Sequence, residues 1–312
     1  MSTRSMLRWL LLAQAVVALG LGALLVRLGA LASWPLALAT GAAAVLLVRV
    51  AITANNFVMT ARFASVTPDS FRLGMAARVR LFAEEFMATF LHSSWFMATA
   101  TARERIYPDS AHPPVLLLHG YGCNSGYWAH LTPLLDAAQI SHAALDLEPV
   151  LGEIDDYLPL VQRACASLCT KSNVPKVIIV AHSMGGLVAR AYLRTHGAQQ
   201  VAHVFTLGTP HHGTSLANFG VGKNAAQMRR TNSADAPESG WLRALAAQET
   251  PASRALITSL FTHHDNIVAP QTSSQLEGAR CIEFGGVGHV AMGRNPRILA
   301  CLMDELITVR TG

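Results

Sequence analysis

Val177-Ile178-Ile179-Val180-Ala181-His182-Ser183-Met184-Gly185-Gly186 decides how the rest of the chain is read. Its first four residues are all β-branched, a short apolar run of the kind that forms a strand buried on both faces. Residues 187–196 then take up a helical period, so the chain must turn sharply between the two with Ser183 at the apex. Ala181 and Gly185 flank that apex. Small residues suit a turn in which backbone segments pass too close for larger side chains.

The same alternation recurs on either side. Apolar runs at 114–118, 143–147, 201–207, 255–261 and 280–284 predict further strands, and residues 128–138, 154–168 and 296–309 carry helical period. A β-α-β-α order predicts an α/β fold, a doubly wound and mostly parallel sheet with helices on both faces. Residues 215–251 break the order, with Gly220, Gly222, Pro237 and Gly240 interrupting weak helical pieces. An insertion of that length after a strand's carboxyl end is placed to act as a lid over whatever lies there.

The N-terminus is a different material. No Asp or Glu precedes Asp69, and leucine, alanine and valine run almost unbroken over 9–48, raising the mean hydropathy to +0.33. Residues 9–26 are uncharged over nearly the thickness of a hydrocarbon core, and a second run at 36–48 reaches it by starting near Leu31 or continuing to Ile52. Residues 1–56 are therefore expected to form a transmembrane helical hairpin. Arg4 and Arg8 precede it and Arg49, Arg62 and Arg72 follow, with Arg27 between, so the positive-inside rule puts both ends and the following domain in the cytoplasm. A cleaved signal peptide ending at Ala30-Leu31-Ala32 is the competing reading, opposed by the long apolar stretch and by Arg27 beside the cleavage site.

Residues 57–100 carry Phe71, Met75, Val79, Phe82, Phe86 and Phe90 at spacings of three and four. They predict an amphipathic connecting helix that lies on the membrane surface or packs on the globular domain, residues 101–312. Glu84 and Glu85 argue against a third span. The formal charge of +5 divides into +7 over the first 80 residues, eight arginines against Asp69, and −2 over the rest. A basic balance confined to the flanks of apolar helices excludes a nucleic-acid partner. Five cysteines without C-x-x-C spacing suggest neither a disulfide framework nor a zinc site, and although Cys165 and Cys169 share a helix face, no His or carboxylate completes a tetrahedron nearby in sequence.

Strand, serine turn and helix together match the nucleophile elbow, in which the helix dipole points at developing negative charge. The turn His119-Gly120-Tyr121-Gly122 ends another strand at the same sheet edge, so the backbone amides of Tyr121 and Met184 are candidates for an oxyanion hole, with His119 ordering the loop. Asp265 follows the strand at 255–261 and His289 the strand at 280–284. Ser183 as nucleophile, His289 as the base that removes its proton and Asp265 as the residue that holds the imidazole tautomer thus follow one another in the order Ser, Asp, His. His263 and His264 adjoin the acid and read as loop residues. Glu283 and Asp304 are weaker candidates for the acid, since one falls in a strand and the other in a helix.

With these motifs, residues 113–310 resemble the bacterial lipases and esterases of the α/β-hydrolase superfamily. Ala181-His182-Ser183-Met184-Gly185 has Ala in place of the first Gly, as in some Bacillus-type lipases, and Leu118-His119-Gly120 and Asp265-Asn266-Ile267-Val268 add to the likeness. Gly208-Thr209-Pro210-His211-His212-Gly213-Thr214 is similar to a loop of many lipases, of phosphatidylcholine-sterol acyltransferase relatives and of the deacylase of GPI inositol, with His211 and His212 shaping the loop. The resemblance implies a serine hydrolase of lipid or acyl esters, working through an acyl-enzyme and without a cofactor, while the hairpin, foreign to the secreted enzymes of the group, predicts a place at a bacterial inner membrane. Several secreted lipases of the group hold calcium near the catalytic histidine, but no pair of aspartates here matches, and no metal is expected. An acyltransferase or thioesterase would use the same triad, and a non-catalytic membrane sensor or scaffold would keep the same fold.

Overall fold

A seven-stranded sheet runs in the order β1-β3-β2-β4-β5-β6-β7. Its strands are β1 (Glu104–Arg105), β2 (Val115–Leu118), β3 (His142–Ala144), β4 (Val177–His182), β5 (Val201–Leu207), β6 (Ile257–Thr262) and β7 (Arg280–Phe284). Every pairing is parallel except that of β1 with β3. The computed structural model describes residues 2–231 and 237–310, so residues 232–236 of the 215–251 insertion lie outside the described residues.

Side chains alternate across a strand, so a strand that is apolar at every position needs cover on both faces. Leu116, Leu118, Ile179 and Ala181 meet Val161 and Cys165 of α6 (Leu158–Ser172) and Leu187 and Val188 of α7 (Met184–His196). Val115, Leu117, Ile178 and Val180 meet the opposite layer, with Leu135 of α5 (Thr132–Ala137) and Ile298, Leu302 and Leu306 of α11 (Pro296–Thr308). Each fully buried Val, Leu or Ile contributes about 1.5–3 kcal/mol. The helix expected over 128–138 divides into a 3-10 turn, Ser125–Trp128, and α5. Pro133 explains the division, because proline is tolerated only in a helix's first turn. Likewise β6 starts at Ile257, after the short helix α10 (Pro251–Ala255) capped by the Thr250 hydroxyl.

Two N-terminal helices, α1 (Thr3–Arg27) and α2 (Trp34–Ala61), are long and apolar enough to cross a membrane. α2 runs past residue 56 to Ala61. The two touch at small residues: a Cβ on Gly41 would collide with Ala18 O, and one on Gly22 would lie 2.9 Å from Ala37 O. Such contacts let backbones approach where solvent drives no apolar association. Leu28, Leu47 and Val17 point outward, exposed. The other end of the hairpin is fastened to the domain. Arg8 Nε donates to Ala98 O at 2.9 Å, in α4 (Met97–Thr99), and the Arg49 guanidinium donates to Gln14 Oε1 and to the Ser93 and Ser94 hydroxyls of the π-helical turn His92–Phe96.

The expected amphipathic helix is α3 (Met75–Leu91), and it packs on the domain by a different face from the phenylalanine stripe. Leu81, Glu85 and Ala88 are buried, with His92 continuing the same row, whereas Met75 and Val79 are exposed. The phenylalanines turn toward α2, where the Phe57 and Phe82 rings lie 5.9 Å apart and Arg49 sits over Phe90 at 5.1 Å.

Candidate active site

Ser183 joins β4 to α7 with φ 54° and ψ −124°, a conformation that costs a non-glycine residue roughly 1–3 kcal/mol. Its amide donates to Leu207 O of β5 at 2.9 Å. A Cβ on Gly185 would stand 2.5 Å from Leu118 O, and one on Gly120 2.8 Å from the Ser183 Cβ. The turns after β2 and β4 are therefore in contact, which is why neither accepts a larger residue there. The Met184 amide lies in the first turn of α7, where N–H groups lack intrahelical acceptors. Tyr121 lies in the adjoining turn, and its hydroxyl donates to Val221 O at 2.7 Å. His119 braces that turn as a neutral ring. Its Nδ1–H donates to Gly120 O and its Nε2 accepts from Leu147 N, while burial pushes its pKa down to about 4.

Asp265 and His289 come from loops after β6 and β7 and meet in a buried pair. His289 Nδ1–H donates to Asp265 Oδ2 at 2.7 Å, and Asp265 Oδ1 accepts from the amides of Ile267 and Val268 at 2.8 and 2.7 Å. Both carboxylate oxygens are occupied, so the proton is fixed on Nδ1 and Nε2 is left as the acceptor. Burial disfavours the imidazolium, but the charge and hydrogen bond of Asp265, with the charge of Glu85, outweigh it and hold His289 above its usual pKa. The ring of His182, next to Ser183, lies 4.5 Å from that of His289, and its Nε2–H donates to His289 O at 3.2 Å. Elbow and histidine loop thus share one sheet edge. Glu283 instead pairs with His263 at 2.9 Å, and Asp304 is exposed on α11.

Two residues near this pair carry roles that the sequence reading left unassigned. Asn266 Oδ1 accepts the His289 amide at 2.9 Å. Glu85, wholly buried on α3, accepts from the amides of Val290 and Ala291 at 3.0 and 2.9 Å, at the start of the 3-10 turn (Val290–Gly293) that His289 leads into. Burial raises its pKa, opposed by those two amides and by His289. The signal for Glu85 was its place in the row 81, 85, 88, 92, a helical stripe that only a folded partner turns inward.

The loop 208–214 is held from below. Arg190 of α7 donates to Glu249 through Nε and Nη2 at 2.6 and 2.7 Å and to His211 O at 2.8 Å, and His212 pairs with Glu238 at 2.6 Å. Above it lies a cavity of about 560 Å³ lined by Ser183, Tyr121, Pro210, Thr214, Ile267 and Val268. The insertion supplies Leu216, Ala217 and Phe219 from its 3-10 turn, Ala225 from α8 (Lys223–Gln227), and Met228, and α2 supplies Asn55, Asn56 and Met59. The insertion continues into α9 (Gly240–Gln248). Among the described residues no three His, Cys, Asp or Glu side chains converge to hold a metal ion.

Residues 150–239 match the PGAP1-like alpha/beta domain. A mature lipase of Bacillus licheniformis superposes with a TM-score of 0.54 at 21% identity, over 66% of this chain and 97% of that one. The chain has an α/β-hydrolase fold. Aspergillus fumigatus lipase B shares that α/β-hydrolase architecture, with a TM-score of 0.53 at 18% identity over 67% of this chain and 57% of that one. Triacylglycerol lipases of Pseudarthrobacter phenanthrenivorans and Burkholderia plantarii are each 32% identical over 120 residues, 34% of this chain. The chain spans 35% and 32% of their respective lengths, about a third.

Proposed function

We propose that this chain is a membrane-anchored serine hydrolase that cleaves carboxylic esters of lipid or acyl substrates. Ser183 attacks the carbonyl carbon while His289 Nε2 takes its proton. Asp265 stabilises the imidazolium, and the amides of Tyr121 and Met184 receive the oxyanion. His289 then protonates the leaving alcohol, and water, activated by the same ring, releases the acid from the acyl-enzyme. The hairpin of α1 and α2 anchors the enzyme, and the 215–251 insertion covers the acyl-binding side of the cavity.

The observation that carries this reading is the buried Asp265–His289 pair, whose free Nε2 shares a sheet edge with the strained turn that presents Ser183 to an apolar cavity. The likeness to two triacylglycerol lipases supports the ester class. Ser183→Ala in purified, folded full-length protein is expected to lower kcat for p-nitrophenyl esters by roughly 10³-fold or more. Turnover equal to that of the unmodified protein would contradict it.

A further inference from the structure

We infer that the cavity beside Ser183 receives the acyl chain of a bilayer lipid, drawn sideways from the leaflet on the catalytic domain's side, with the end of α2 as one wall. The inference rests on the ester-hydrolase reading for what becomes of the lipid once it is bound.

Charge and helix length place the cavity relative to the membrane. Arg49, held by Gln14, Ser93 and Ser94, marks where the hairpin leaves the domain. Between residues 15 and 48 the only charge is Arg27, at the far end. From Trp34 to Arg49 α2 rises about 22 Å, so a hydrocarbon core of about 30 Å ends about 8 Å beyond Arg49, with the headgroup zone another 5–8 Å deep. Trp9 and Trp95, each 64% exposed, flank this level as interfacial aromatics do. Asn55 and Met59 follow Arg49 by six and ten residues, about 9–15 Å along the helix. The cavity wall formed by α2 therefore lies at headgroup depth.

At the cavity mouth the insertion carries two apolar side chains that face outward. Phe219 lines the cavity yet is 68% exposed, and Val221, whose carbonyl holds Tyr121, is 67% exposed. In water such side chains would be costly, whereas at the acyl boundary they bury apolar area. A lipid leaving the leaflet would pass between Phe219 and Met59, its chain entering against Met228 and Ile267 and its ester reaching Ser183. The cavity volume is within the roughly 300–1,000 Å³ usual for ligand pockets.

The test uses the full chain in phosphatidylcholine–phosphatidylglycerol vesicles. Met59→Trp, which fills the mouth, is expected to lower the ratio of fatty-acid release from vesicle phospholipid to p-nitrophenyl butyrate turnover at least tenfold. In parallel, Ser183→Ala protein is irradiated with a phospholipid carrying a diazirine at its acyl terminus. A chain resting in the leaflet puts that group near the bilayer centre, so labelled peptides spanning 55–59 or 216–228 are expected only if the chain has turned into the domain. A ratio within twofold of the unmodified protein's, or label confined to residues 15–48, would overturn the inference. Absence of turnover with both esters would remove the hydrolase reading, and the photolabelling would still decide the cavity.

Discussion

At the scale of single residues the chemistry depends on where one proton sits. Asp265 fixes it on His289 Nδ1, and in the proposed mechanism the raised pKa of His289 sets the pH at which Nε2 becomes free to act as a base. Ester turnover is therefore expected to rise with pH through a midpoint above the usual histidine value of about 6.5. Glu85 contributes to that elevation through its charge. Glu85→Gln removes the charge, lowers the His289 pKa and should move the acid limb of kcat/KM to lower pH, whereas a purely structural loss would lower the plateau and leave the midpoint in place. A pH–rate profile of the two proteins distinguishes these outcomes, and an unmoved midpoint would show that Glu85 does not act on the histidine.

At the scale of elements, what was legible depended on how far a segment's neighbours are encoded locally. β4 and its turn could be read directly, because an all-apolar strand, a small-residue turn and a helix are each local patterns. β1, only Glu104–Arg105 and exposed, carries no periodicity and was missed. α3 is legible as a helix from its phenylalanine spacing, but that stripe faces α2 and the row that meets the domain is a different one. Its partner on the domain side is the histidine loop, and a buried glutamate bonded to two backbone amides has no local apolar signature. The 208–214 loop shows the same dependence on distant residues, since Arg190 of α7, 1% exposed, is neutralised by Glu249 from the end of the insertion. Breaking a buried pair strands its partner's charge. Glu249→Ala is expected to cost roughly 3–5 kcal/mol in chemical denaturation; a loss under 1 kcal/mol would mean that the insertion is not fastened there.

At the scale of the whole molecule, an α/β-hydrolase fold is seated on an apolar hairpin so that the helix proposed to leave the membrane also lines the cavity containing Ser183. Anchor and site are therefore parts of one surface, and α3 joins them by touching α2 with its phenylalanines and the histidine loop with Glu85. The proposed activity still depends on one side chain being a nucleophile. Labelling of the full-length protein with a fluorophosphonate tests this most directly, with the adduct located by mass spectrometry. The account predicts a single adduct on Ser183, formed at least 100-fold more slowly in a folded His289→Ala protein. An unlabelled Ser183, or labelling equally fast without the histidine, would contradict it.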